Sequence, residues 1–171
     1  MIGRPDPSEA APYAFRYIDQ VPGGDPVAVL RDQLEAWPGR LAAISEERSL
    51  FRYAPDKWSI RQVLNHVTDT ERAFAFRMLW FARGFDSPLP GIDQETAAAG
   101  AQADNFPWST HLDDFRNVRK STLSLIANLP ESAWKRGGVA SDHYVTVRAL
   151  AFISAGHVAH HARILEERYL S

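Results

Sequence analysis

The chain has 171 residues, enough to bury one substantial core without requiring a second domain. Hydrophobic residues make up 45% and charged residues 23%, an ordinary balance for a globular protein, and the formal net charge of −2 offers no general attraction to phosphate backbones, so nucleic acid is not an expected partner. There is no cysteine, which excludes disulfides, thiolate nucleophiles and every cysteine-containing zinc site. Any metal must be held by nitrogen and oxygen.

The start, MIGRPDPSEAAPY, lacks an apolar signal core, and no later stretch approaches the roughly 18 uninterrupted apolar residues of a membrane span. The expected location is cytoplasmic, with no membrane partner. Residues 1–24 contain Pro5, Pro7, Pro12, Pro22, Gly23 and Gly24, too many breakers for a long helix. They are expected to form an extended arm lying against the main domain, which spans residues 25–171.

The first helical run extends from Asp25, a suitable N-cap before Pro26, to about Ser45. Val27, Leu30, Leu34, Trp37, Leu41 and Ile44 recur at threes and fours, while Pro38 and Gly39 predict a kink or a division into two segments. The second run begins after Trp58, where Ser59 and Gln62 form a capping box, and it ends at Gly84. Ile60, Val63, Val67, Phe74, Met78 and Phe81 make its apolar face. His66 lies about a quarter turn from the centre of that face, beside Thr70 and Ala73, where it can reach obliquely into a helix seam. Glu71 falls on the buried side, so its carboxylate must be paired or protonated, and Arg163 or Arg148 is the expected partner. Arg72 and Arg77 are expected at the surface.

Residues 85–107 connect the second and third runs over roughly 20 residues, where 2 to 8 is usual between bundle helices. A short Ala-rich helix capped by Asp93 is expected within it, covering one mouth of the bundle. The third run goes from Ser109 or Thr110 to Leu129 and stops at Pro130. His111, in its first turn, is expected at the surface. Residues 131–145 predict a turn or a brief extended segment, after which Thr146 caps the final helix.

That final stretch, TVRALAFISAGHVAHHARILEERYL, holds three of the six histidines within five positions. At 3.6 residues per turn, Leu150, Ile153, His157, His161 and Ile164 share one stripe, and His160 falls toward its edge. Buried imidazoles need partners. Either His157 and His161 are core residues hydrogen-bonded to a neighbouring helix, or their spacing of four presents two ligands to one metal ion. His66 is the best candidate for a third ligand, against an ordinary interface histidine.

Other sites are excluded by spacing. HVAHH carries Val158 where the zinc proteases have their glutamate, and no glutamate precedes His66, His157 or His161 by three, which disfavours a carboxylate-bridged di-iron bundle. There is no G-x-S-x-G, P-loop or G-x-G-x-x-G.

With these residues in place, the chain resembles the DinB-like superfamily, in its DinB_2 and YfiT-like branch. The resemblance rests on KWSIRQVLNHVTDTER (residues 57–72), PGIDQE (residues 90–95) and GHVAHH (residues 156–161), and it covers nearly everything from Asp25 onward. It implies an all-α four-helix bundle in up-down-down-up order, with the long connection between helices 2 and 3. It also implies a divalent metal held by His66, His157 and His161, zinc or nickel first, with iron, cobalt, copper or manganese as further candidates. His160 matches an extra histidine that is not usually a ligand. Members with assigned chemistry transfer low-molecular-weight thiols, and bundles of this kind often form homodimers.

The leading expectation is therefore a metal-dependent transferase that acts on a small molecule and activates such a thiol. The alternatives are a hydrolase whose nucleophile is water on the metal, with Glu71 or Asp93 as the carboxylates to test as base, and a non-catalytic metal-binding or interaction protein that associates through Trp80, Phe81 and Trp108.

Overall fold

Each long helix starts where a side chain can take its free amide donors. Asp25 accepts from Val27 and Ala28 at the start of α2 (Pro26–Leu41), and Ser59 and Gln62 cap each other's backbones at the start of α3 (Ile60–Ala82). Asp93 caps α4 (Gln94–Ala101), and Thr146 caps α6 (Val147–Arg168). Only α5 (Trp108–Ala127) has no capping side chain of its own, because its N-cap is Pro107; Glu46 reaches across to accept from the Trp108 amide at 2.9 Å. The computed structural model describes residues 2–171.

The protein is mostly helical. α2 packs against α5 and α6, and α3 packs against the same two helices, so the four long helices close into a bundle. α2 continues through Pro38 as one helix to Leu41, where two segments were a possible outcome of the sequence. The Ala-rich α4 packs against α3 as expected. After α5, β1 (Gly137–Ala140) and β2 (His143–Thr146) form an antiparallel hairpin pairing Gly138 with Val145. The hairpin lies on the far end of α3: a Cβ at Gly138 would come within 2.4 Å of the Phe81 ring. Its two turn residues, Ser141 (φ 52) and Asp142 (φ 65), take the left-handed conformation that a two-residue hairpin requires.

Residues 2–24 are not extended throughout, but alternate extended residues with short helical turns. Pro7, Pro12 and Pro22 each open a 3-10 turn, and a one-turn helix, α1 (Phe15–Ile18), follows the second. A proline at the first helical position has the right φ and lacks an N–H that would be unpaired anyway, so the breakers of a long helix here start short ones. Ile18 is buried, and α1 packs on α6 at Gly156, where an added Cβ would stand 2.0 Å from the Tyr17 carbonyl oxygen. Glu9 fastens the arm to the start of α6, accepting from the Thr146 hydroxyl at 2.8 Å and from Arg148 Nε at 2.7 Å.

The interior is two apolar clusters with a polar layer between them. One gathers Ile18, Leu30, Met78, Phe81, Leu150 and Phe152; the other gathers Trp37, Leu64, Val67, Trp108, Phe115 and Leu165. At the waist Arg119 is completely buried and grips both oxygens of Glu71, at 2.7 and 2.8 Å. Its Nη1 also donates to the Leu30 carbonyl and to Gln33 Oε1, and Gln33 Nε2 donates to the Ala155 carbonyl. One hydrogen-bonded network thus ties α2, α3, α5 and α6 together, with every buried side-chain donor and acceptor satisfied among the described residues. Glu71 is paired, as its burial demanded, but with Arg119. Arg148 is taken by Glu9, and Arg163 is exposed.

Candidate metal centre

Two turns into α3, the register set by the Ser59 cap brings His66 to the seam with α6, where His157 and His161 lie one turn apart. The ring centroids stand 5.2 Å (66 to 157), 5.0 Å (66 to 161) and 4.5 Å (157 to 161) apart. One ligand nitrogen from each ring lies within 4.8 Å of the others, so these three could hold a metal ion. His157 Nε2 and His161 Nε2 are 3.1 Å apart. Two nitrogens about 2.0–2.1 Å from one tetrahedral ion would be separated by roughly 3.3 Å, which matches that pair closely.

His111 shows what a bland buried histidine looks like in the same molecule. It is not at the surface as the sequence suggested, but 6% exposed, with Nε2 at 2.9 Å from the Ala103 carbonyl. His66, His157 and His161 make no such bond to a carbonyl or carboxylate among the described residues; the polar contact within the trio is between two of its own rings. The pair on α6 is therefore not explained as ordinary core histidines bonded to a neighbouring helix.

Electrostatics favour the neutral imidazoles that a cation needs. Burial, reinforced by His161 and His66, pushes His157 well below the usual histidine value, and burial pushes His161 down to about 3. Burial also lowers His66. His160 sits outside the trio, with its ring 5.2 Å from that of His161.

The trio opens on a cavity of about 420 Å³. Tyr17, from the arm, stands edge-on to both His157 and His160 at 5.4 Å, and Trp58 covers His66 at 4.9 Å. Ile92, Gln94 and Ala98, from the long connection, also line it. The connection thus contributes to the cavity wall and packs on α3. The arm's contribution was not foreseen, although a glycine within a buried helix, at Gly156, was a signal that another backbone passes close by.

The two carboxylates considered as bases do not serve the site. Both oxygens of Glu71 are held by Arg119, and Asp93 is exposed and caps α4. Asp69 is the carboxylate that lines the cavity, and Arg72 binds it at 2.8 Å. Arg77, expected at the surface, is half-buried in the cavity wall. Of the aromatics considered for association, Phe81 and Trp108 are buried and Trp80 is half-buried.

No helix among the described residues is long and apolar enough to cross a membrane. No curated protein matches the chain in sequence. Among solved structures, the chain is similar to YfiT from Bacillus subtilis, described as a probable metal-dependent hydrolase with an unusual four-helix bundle topology. At 17% identity the TM-score is 0.72, over 95% of this chain and 89% of that one. The family model described as the DinB superfamily matches residues 30–165, and the chain belongs to that superfamily.

Proposed function

We propose that the protein is a metal-dependent enzyme acting on a small molecule, with His66, His157 and His161 as the ligands of one divalent cation, zinc or nickel first. The observation that carries this reading is a trio of imidazoles, His157 buried and His66 and His161 half-buried, unpartnered by carbonyls, on the wall of a 420 Å³ cavity. The residues fit such an ion: three neutral imidazoles, each offering a nitrogen within 4.8 Å of the others, leave a side open to the cavity, as catalytic sites do and closed structural sites do not. A divalent cation there would supply Lewis acidity, lowering the pKa of a thiol or water that it binds.

Transfer of a low-molecular-weight thiol is the reaction proposed. Hydrolysis is the second reading, favoured by the description of YfiT. It needs a base to manage the proton of water, and the one carboxylate lining the cavity is engaged by Arg72. A thiol, with an ordinary pKa near 8.5, ionises with far less help. The up-down-down-up order of the helices, a homodimer and a cytoplasmic location belong to this same reading. The chain loaded with zinc or nickel, offered a panel of electrophiles with several thiols and in parallel a panel of esters and amides, should consume the electrophiles in a thiol- and metal-dependent way. Turnover of the esters or amides alone would establish the hydrolase, and no turnover by the loaded chain would favour a metal-binding protein without catalysis.

A further inference from the structure

One face of α3 runs the length of the cavity. His66, Thr70, Ala73 and Arg77 are spaced by four, three and four, so they stack along a single stripe, and all four line the cavity. Eleven residues at about 1.5 Å each put the Cα atoms of His66 and Arg77 roughly 16 Å apart along the axis. The stripe has an imidazole at one end, a guanidinium at the other, and only a hydroxyl and a methyl group between them.

That guanidinium is held without being neutralised. Nη2 donates to the Pro90 carbonyl at 3.2 Å and to Ser141 Oγ at 2.9 Å, while Nε and Nη1 make no hydrogen bond among the described residues. Among the described residues no carboxylate lies within ion-pair distance of it, whereas Arg119 has one and Arg72 and Arg148 have two each. Burial lowers Arg77 from its ordinary value, with only Tyr13 opposing. Ser141, which anchors it, is in the left-handed conformation of the hairpin turn, and the hairpin is tied to the long connection by Leu89, whose amide donates to the Val139 carbonyl at 3.0 Å. A second cation, Arg16, lines the cavity beside Tyr17, and Asp69, the cavity's carboxylate, is already bound by Arg72. With three neutral histidines, the cavity carries a surplus of positive charge even before a metal is counted.

We infer that the substrate bears a carboxylate or phosphoryl group that docks on the unpaired Arg77 guanidinium, through the donors that Pro90 and Ser141 leave free, at the far end of the cavity from His66, His157 and His161. The inference rests on the metal-centre reading above, and it makes the substrate a linear or extended anion rather than a compact neutral molecule. Nη2 is occupied by Pro90 and Ser141, so an oxyanion is held by single charge-assisted hydrogen bonds from Nη1 or Nε rather than by a bidentate fork, and such bonds favour an anion over a neutral group.

Linear thiols ending in a carboxylate, a phosphonate or an uncharged carboxamide, in a series of chain lengths, provide the probes. Binding to the full chain is measured by calorimetry with and without zinc, beside Arg77→Gln and Arg77→Lys. One of the two acids should bind about tenfold or more tightly than the amide of equal length, and one chain length should be best. Arg77→Gln should abolish the preference for acid over amide while leaving zinc content and the binding of the amide unchanged, and Arg77→Lys should restore part of it. The carboxylate and phosphonate arms identify which oxyanion is preferred. Equal binding of acid and amide at every length, in a chain that takes up zinc, would overturn this inference and leave the metal centre standing. Failure to take up zinc, with the preference for acid intact in the metal-free chain, would overturn the metal centre and leave the anion site.

Discussion

Gly156 allows the arm to form a wall of the cavity, and Gly156→Ala puts a number on that contact. The added Cβ would lie 2.0 Å from the Tyr17 carbonyl oxygen and 2.5 Å from its carbonyl carbon. Ordinary contact begins at 3.4 Å, so α1 must withdraw by roughly 1.4 Å. The obstacle is backbone, which cannot swing aside like the tip of a side chain. Alanine gains about 1 kcal/mol of helix propensity, while overpacking of this kind costs about 1–3 kcal/mol, so a net loss of up to about 2 kcal/mol is expected. Gly39→Ala in α2 is the reference, since nothing lies within 4 Å of its added Cβ, and it should gain up to about 1 kcal/mol. Thermal unfolding of the metal-free chain separates the two, at about 2–4 °C per kcal/mol for a protein of this size. Because Tyr17 stands edge-on to His157 and His160, Gly156→Ala should also perturb their ring proton resonances, which Gly39→Ala should leave in place. Equal stabilisation by both substitutions would refute the close packing of α1 on α6.

Arg119→Met leaves the Glu71 carboxylate buried without its partner, and a loss of about 3–5 kcal/mol is expected in urea unfolding, most of it recovered when Glu71 is also changed to Met. Glu9 is held at about 2, principally by its hydrogen bonds from Arg148, below its ordinary 4.5. Its contribution, up to about 3 kcal/mol, is therefore complete above pH 4.5 and is lost as the pH falls toward 2; Glu9→Gln should flatten the acid limb of stability against pH. The histidines act at higher pH. His161 is lowered from 6.5 to about 3 by burial, so below pH 6.5 the unfolded chain takes up a proton that the folded chain refuses. Stability of the metal-free chain should fall from that point downward, and His161→Asn should reduce the slope.

The caps at Asp25, Ser59, Asp93 and Thr146 were legible in the sequence, because each is a local contest between a side-chain oxygen and a few backbone amides. So was the short helix in the long connection. Spacing alone put His157 and His161 on one face, and it left His66 as the best third candidate; the structure brings the three rings together. Contacts between distant segments were not legible. The burial of Glu71 was evident from its helix, but not its choice of Arg119, which depends on α5 crossing α3 at that level. His111 looked like a surface residue until the turn at Ala103 was folded beside it. Arg77 looked solvated for the same reason: Pro90 and the hairpin's Ser141, which hold it, come from 13 and 64 residues further along.

The claim that one cation is shared by His66, His157 and His161 is tested most directly by metal uptake in tag-free protein. Zinc titration with elemental analysis should give one equivalent per chain for wild type and for His160→Ala, with little or none retained by His66→Ala, His157→Ala or His161→Ala. X-ray absorption of the loaded wild type should show imidazole nitrogens at about 2.0–2.1 Å. Full zinc content in all three ligand variants would contradict the account.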